Sequence, residues 1–524
     1  MRQRLLLRQT CVEDLKYLGQ SRLECQKLQG TAVICGGSIA GLLAARVCHD
    51  HFANVIIIEP ESWLSTVDAV REDAWRQDHP RTRVMQYRSL QGIQVLGFQG
   101  FYRLFPNFLE ECKKSDIHVC RGDFRSSTWG NWTKTPHAEY GGNLPKTMFV
   151  GRPGLETLIR RLVLDTTKYP NIKQIIGTAT GASRSSTSSE RMEQVSVRKQ
   201  DGSIVNIHAE LIIDCTGPVS AGIKWLQREA FGHSVDGKYA KGTLPVEDLR
   251  VSYDQKINYS TLEFKVSKEL GERLNVPGGW EGCGPIYNCF TDGLVESRSI
   301  YSQRIEGDIV QVCCGAWGID DLPATLEEVK SYVRSLITDK PIPEWFFQFL
   351  DLLAEVDDVK HSRVRVPATN FNRFDKVPNL PSNWIALGDS VMRLNPVFGQ
   401  GCTKALMGAV CLNTMLQKYG ATALLSDFAQ NFFKLQASKI GPIWEGVKLG
   451  DYTYQTTIPI KGETLSKGWL LRWYIRRLHI LAFTDKQAGS ALWHVKMFLA
   501  PPIDNLQFGL IVKVLWSALM RPNA

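Results

Sequence analysis

The apolar run at residues 32–35 is led by Thr31 and stopped by Gly36 and Gly37, the pattern of a buried parallel strand. From Ile39 the spacing changes, and Leu42, Leu43, Ala45 and Val47 recur at helical intervals. The stretch "ANVIIIEPE" then predicts a second buried strand ending on Glu59. Strand, glycine turn, helix, strand and acid follow one another as in a βαβ nucleotide-binding unit. A second such pattern lies far along the chain, in "WIALGDSVMRLNPVFGQGCTKALMGAVCLNTML" (residues 384–416). It predicts a buried strand over 384–387, an irregular loop, and a long helix running through Leu416 to a stop at Gly420. Between these blocks, residues 170–216 predict strands with a turn at Asp201-Gly202 and a Ser-rich loop over 183–190. Residues 250–365 hold alternating strand-like runs that predict a mostly antiparallel sheet, with Tyr259, Phe264, Tyr287, Phe290 and Trp317 as its aromatics. Two stretches near the end, 468–483 and 508–520, carry apolar residues at helical spacing.

Each position of the first turn, "GGSIAG", has a physical task. Gly36 permits the tight exit from the strand, and Gly41 permits close packing of the helix. Ser38 replaces the usual second glycine, at the point nearest a pyrophosphate, where its hydroxyl can donate to a phosphate oxygen. The helix N-terminus turns backbone N–H groups and positive dipole toward the same anion. Glu59 stands where an acid accepts a ribose hydroxyl and repels a 2′-phosphate, which points to FAD or NAD rather than NADP. On these residues alone FAD and NAD stay open.

Composition adds limits. The 524 residues allow two or three domains. The positive excess is mild and forms no dense block of the kind a nucleic-acid groove needs. The 13 cysteines show no C-x-x-C pair, so we read nearly all as reduced, buried thiols, with no metal site. Residues 1–30 are charged throughout and carry no secretory apolar core, and no stretch is long enough to span a membrane. This predicts an intracellular protein, cytoplasmic or peripherally membrane-associated and not secreted. From Lys461 on, nine Lys/Arg stand against three acids, with Trp469, Trp473 and Trp516 among them. That pattern suits an interfacial membrane anchor or an ordinary amphipathic cap over the substrate site.

The Gly388-Asp389 stretch resembles the "GD" motif of FAD-dependent single-component monooxygenases, the aromatic hydroxylases and epoxidases. Three more stretches resemble that family in the same order: "MQYRSLQGIQVLGFQGFYRLFP", "FVGRPGLETLIRRLV" and "AELIIDCTGPVSAGIKWL". The likeness runs from Thr31 to the 460s and is strongest to the squalene- and polyene-epoxidase-like branch and its fungal secondary-metabolite types. It implies an α/β fold: a Rossmann-like FAD-binding domain, an inserted, mostly antiparallel substrate sheet and a C-terminal helical region. The expected boundaries are an extension at 1–30, FAD-binding parts at 31–250 and 366–420, the substrate sheet at 251–365 and the helical region at 421–524. The resemblance implies that Asp389 accepts a hydroxyl of the FAD ribityl or ribose. It places Pro396, Gly399, Gly401 and Cys402 in the loop and helix start facing the flavin, Arg152 near the pyrophosphate or ring, and Gln86 and Arg88 near the flavin. With Gly36, Ser38, Gly41 and Glu59 these form the expected cofactor set; no catalytic side chain is singled out.

The activity implied is epoxidation or hydroxylation of an apolar polyene, terpenoid or polyketide. It would use O₂ through a flavin 4a-hydroperoxide, with NADPH or NADH as transient reductant. A departure is Lys224, standing where family members often carry an arginine after D-x-T-G. A halogenase or dehydrogenase of the same fold, a non-catalytic flavoprotein and a membrane-bound interaction subunit stay open.

Overall fold

The computed structural model describes residues 2–234, 238–418 and 423–520. Its centre is a five-stranded, fully parallel sheet in the order Trp384–Ala386, Leu211–Asp214, Leu28–Cys35, Phe52–Glu59, Ile172–Ile176. These strands read as apolar runs because helices cover the sheet and bury it. The helix Ile39–His51 packs on it, and the helix Gly401–Lys418 lies against Ile39–His51. His51 Nε2 and Asn413 Oδ1, 3.0 Å apart in the core, fasten the two helices. The βαβ unit and the late strand–loop–helix thus stand side by side although 350 residues separate them in sequence. The stop expected at Gly420 lies outside the described residues.

Within the stretch 170–216, Thr178–Arg184, Met192–Arg198 and Ile204–His208 form a three-stranded antiparallel meander with Gly202 at its turn, while Ile172–Ile176 and Leu211–Asp214 belong to the parallel sheet. The second large sheet has seven strands. Its order is Val359–Arg365, Ile257–Lys265, Ile309–Trp317, Arg298–Ile305, Pro285–Phe290, Ser126–Thr128, Asn131–Trp132. All neighbours are antiparallel except Pro285–Phe290 with Ser126–Thr128. The sheet therefore borrows two strands from well before residue 251. The same region also contains two helices, Leu326–Arg334 and Glu344–Leu352, whose Phe346, Phe349 and Leu350 bury against the sheet. All thirteen cysteines are free thiols, and eleven of them are buried.

Residues 2–30 are attached to the fold. Cys11, Leu15 and Leu18 join the main core, and buried Lys439 holds the segment through the Leu7 and Thr10 carbonyls and Asp14. Near the end, Trp469–Ala482, Lys486–Lys496 and Phe508–Met520 share a small core built on Leu478, Ala488 and Leu510. Phe508, Trp516 and Leu519 stay exposed on its outer side. Among the described residues no helix is long and apolar enough to cross a membrane.

Candidate functional site

The first strand leaves the sheet at Gly36, whose φ of +118° is open to glycine alone at low cost. A Cβ there would lie 2.3 Å from the Cys215 carbonyl oxygen, and one on Gly41 would lie 1.8 Å from that of Gly36. Both positions are therefore closed to any side chain. The turn leaves the amides of Ser38, Ile39 and Ala40 without an acceptor among the described residues, a cradle suited to a phosphate at a helix start. Buried Glu59 accepts from the amides of Gly37 and Glu61, each at 3.0 Å, and has lone pairs left for a ribose hydroxyl.

Beside this turn lies a buried charge cluster. The helix Arg152–Val163 presents Arg152, Glu156 and Arg160 on one face, as i, i+4 spacing requires. Glu156 pairs with Arg152 at 3.0 Å, with Arg160 at 3.2 Å, and with Arg81 from a preceding loop. Ser38 Oγ donates to Glu156 at 3.0 Å and accepts from Arg152 at 2.7 Å. Burial pushes the Glu156 carboxyl up, but Arg81, Arg152 and Arg160 outweigh it and hold it down at about 2. Burial works against each arginine as well; Glu156 prevails at Arg81 and Arg152, and burial prevails at Arg160. Arg81 also reaches Glu59 at 3.7 Å, so the acid that sequence reading set against a 2′-phosphate is partly neutralised. Glu306 anchors the start of this helix by accepting from the amides of Gly151 at 2.8 Å and Gly154 at 3.0 Å. Burial raises its carboxyl to about 7.

The Gly388-Asp389 turn packs against Ala40, which brings it to the same helix start. Lys404, 2% exposed, bonds Asp389 at 2.6 Å and the Met392 carbonyl, leaving the Asp389 side chain 44% exposed. Asp214, at the end of the neighbouring strand, accepts from Thr216 and Ser390 and fixes the two strand ends together. The next loop, Pro396–Phe398 and Gly399, is set by Asn395, whose Oδ1 accepts from the Val397 amide at 3.1 Å. Asn395 is in turn held by buried Asp451 at 2.7 Å, which also accepts from Tyr253 at 2.8 Å and Trp317 at 3.2 Å. Burial raises the Asp451 carboxyl to about 7, against the pull of those three donors. The amides of Gln400, Gly401 and Cys402 have no acceptor among the described residues. Asp451→Ala is expected to leave three buried donors unpartnered, to cost about 3 kcal/mol or more, and to loosen this loop. Denaturant midpoints check the first effect and cofactor release rate the second; Asp451→Asn, which keeps one acceptor oxygen, is expected to fall between.

The loop opens on a cleft of about 820 Å³, part of it open to solvent. One wall is Pro396–Gly399, and Ser89–Gln94 lies against it. The other wall is the seven-stranded sheet, through Tyr259, Phe290, Tyr301 and Gln303. The hydroxyls of Tyr259 and Tyr301 are buried and make no hydrogen bond among the described residues. Lys496 and Met497 close the cleft from the C-terminal helices, fixed there by the Leu96 amide on the Met497 carbonyl at 3.3 Å. Trp493 Nε1 donates to the Gly122 carbonyl at 2.9 Å in the same contact. This part of the C-terminal region is a cap.

The structure clusters Gly36, Ser38, Gly41, Glu59, Arg152, Asp389 and Cys402, with Gly401 next to Cys402, about the glycine turn and the Asp389 loop, and sets Pro396 and Gly399 at the cleft. Cys402 is buried close enough to feel both Arg152 and Asp389. Gln86 and Arg88 are not among the cleft-lining residues; Arg88 is exposed, and Ser89–Gln94 takes the place next to the loop. Of the five aromatics, Tyr259 and Phe290 line the cleft, while Phe264, Tyr287 and Trp317 are core. Sequence reading missed Arg81, Glu156, Lys404, Asp451 and Lys496. Only Glu156 had a local signal, four residues after Arg152 on the same helix face.

This arrangement of a parallel dinucleotide-type sheet, a late strand–loop–helix and an antiparallel second sheet is the fold of flavin-dependent monooxygenases and brominases. Among solved structures it is similar to PqsL, a probable FAD-dependent monooxygenase from Pseudomonas aeruginosa. That likeness has a TM-score of 0.52 and 14% identity over 88% of this chain and 98% of the other. It is also similar to the flavin-dependent brominase Bmp2, with a TM-score of 0.53 and 11% identity over 94% of this chain and 100% of the other. A flavoprotein/dehydrogenase from Cytophaga hutchinsonii gives a TM-score of 0.56 and 11% identity over the same shares, 94% and 100%. Protein Rv3254 of Mycobacterium tuberculosis (strain ATCC 25618 / H37Rv) is 24% identical over 496 residues, 86% of this chain and 89% of that protein. No family model matches the chain.

Proposed function

We propose that the protein is an FAD-dependent monooxygenase that uses O₂ and NADPH or NADH to epoxidise or hydroxylate a largely apolar metabolite. The observation that carries this reading is continuity. Contacts link Glu59 to the glycine turn, Ser38 to Arg152 and Gly388 to Ala40 at the same helix start, and the loop that follows Asp389 opens on an apolar cleft. NAD would need the first half of that path; a flavin uses both halves. Likeness in fold to flavin-dependent oxygenases supports the same reading.

The glycine cradle fits the group, because side chains are excluded at Gly36 and Gly41 and three helix-start amides have no acceptor among the described residues and can donate to an anion. Bound FAD would supply the oxygen-activating redox chemistry. Arg152 and the Ser38–Ala40 amides would hold the pyrophosphate charge, and Glu59 would accept from the ribose. Asp389 keeps an exposed edge for a hydroxyl. The free amides of Gln400–Cys402, at the start of an 18-residue helix, favour negative charge at the loop. The aromatic wall and Met497 line the cleft with apolar surface, which would limit the water beside a bound substrate.

Two measurements test the reading. Purified protein is expected to be yellow or to become so with FAD, and to consume O₂ with NADPH or NADH. Reduced protein mixed with oxygen in a stopped-flow cell is expected to pass through an absorbance phase distinct from both reduced and oxidised flavin. Direct return to the oxidised spectrum defeats the oxygenase reading. Halogenated product from the same reaction run with bromide moves it to the brominase class.

A further inference from the structure

Among the described residues that line the cleft, Lys496 alone is charged. It sits at the end of the helix Lys486–Lys496, and the Trp493 and Met497 contacts fix that end against the cleft. Its ammonium lies 5.2 Å from the ring centre of Phe290 and 5.6 Å from that of Phe124, and 3.5 Å from Ser126 Oγ. Among the described residues no carboxylate forms an ion pair with it; Asp123 acts only from further off. Lys496 is exposed to solvent while it lines the cleft, and the neighbouring protein pushes its ammonium down to about 8. A solvent-reachable cation that lines an apolar cleft, flanked by two aromatic faces and a hydroxyl and paired with no carboxylate, is open to an anionic ligand. The two unpartnered phenols, Tyr259 and Tyr301, stand in the same lining and leave hydrogen-bonding capacity unspent.

We propose that Lys496 determines the specificity of the cleft by binding an anionic oxygen, a carboxylate or an ionised enol or phenol, carried by an otherwise apolar, ring-bearing substrate. The proposal rests on the cleft being the substrate site of the oxygenase described above. It narrows the apolar metabolite class to acidic members. Phe124 and Phe290 flank the charge and give the ring system of such a molecule flat faces to stack on.

The test is calorimetric titration of the full chain, loaded with FAD, with benzoate and 2-naphthoate and with their neutral carboxamides at pH 7. Both acids are then ionised and Lys496 is largely protonated. At least one acid is expected to bind about tenfold or more tightly than its amide, the usual size of a charge-assisted hydrogen bond. Lys496→Met is expected to abolish that preference while leaving amide affinity and FAD content unchanged, and Lys496→Arg to keep it. Equal binding of acid and amide, no binding of either acid, or a preference that survives in Lys496→Met overturns the proposal. Calorimetry needs no turnover, so the two readings fail separately. Protein that discriminates through Lys496 but holds no FAD and consumes no O₂ sinks the oxygenase reading alone. Protein that oxygenates but does not discriminate sinks this one alone.

Discussion

Glu156→Ala is expected to destabilise the protein by about 3–5 kcal/mol, the cost of leaving buried charge without its partner. Glu156 pairs with three arginines; its loss leaves Arg152 and Arg160 without a carboxylate ion pair among the described residues, while Arg81 keeps Glu59 and Glu61. Denaturant midpoints at pH 7 provide the measurement, and a loss under 1 kcal/mol would remove Glu156 from the centre of the cluster. Glu156→Gln keeps the shape and bonds to Ser38 but not the charge, and should lie between. Acid adds a signature. The native carboxyl is held at about 2, below its unfolded value. Its stabilisation is therefore fully present above the unfolded range and lost as pH falls through about 2. The gap between wild type and Glu156→Gln should narrow as pH drops from about 5 toward 2. A gap that stays constant over that span would contradict the sign of the shift.

Ser38→Leu is expected to abolish FAD retention, lowering affinity roughly a hundredfold or more, since it removes a hydroxyl from Arg152 and Glu156 and fills the phosphate path. Ser38→Gly should be tolerated, because glycine is the residue that such turns ordinarily carry. Flavin content after gel filtration separates the outcomes, and a yellow leucine variant would overturn the placement. In the structure the Ser38 hydroxyl is engaged by protein groups rather than left free for phosphate. Its role is thus to orient Arg152, which alters the reason for the prediction and not its direction.

What could be read in the sequence was what the backbone itself dictates. Gly36 and Gly41 stand where no side chain fits, and Asn395, Pro396 and Gly399 fix a loop through local hydrogen bonds and φ. Such demands leave marks within a few residues. Three of the five parallel strands, Leu28–Cys35, Phe52–Glu59 and Trp384–Ala386, were legible for a similar reason, as short apolar runs ended by glycine or acid. Contacts made only in three dimensions left no mark. Arg81 comes from a loop with no periodicity, and nothing near it announces Glu156. Lys496 looks like an ordinary last-turn lysine until packing of Trp493 and Met497 turns it into the cleft. The helix Leu326–Arg334 was legible but overlooked: Thr325 and Glu328 form a capping box ahead of it, inside a region read as strands. Gln86 and Arg88 were assigned by resemblance alone, and the chain places the following segment at the cleft instead.

The order of strands in the parallel sheet also sets a timetable for biosynthesis. Leu211–Asp214 is an inner strand only once Trp384–Ala386 has joined its outer side, some 170 residues later in translation. At about 5–20 residues per second, the ribosome leaves that edge unpaired for about ten to thirty seconds. During that interval the nascent chain already contains the glycine turn and the arginine-bearing helix, but neither Asp389 nor the loop that follows it. The site proposed to hold the flavin is therefore complete only late in synthesis.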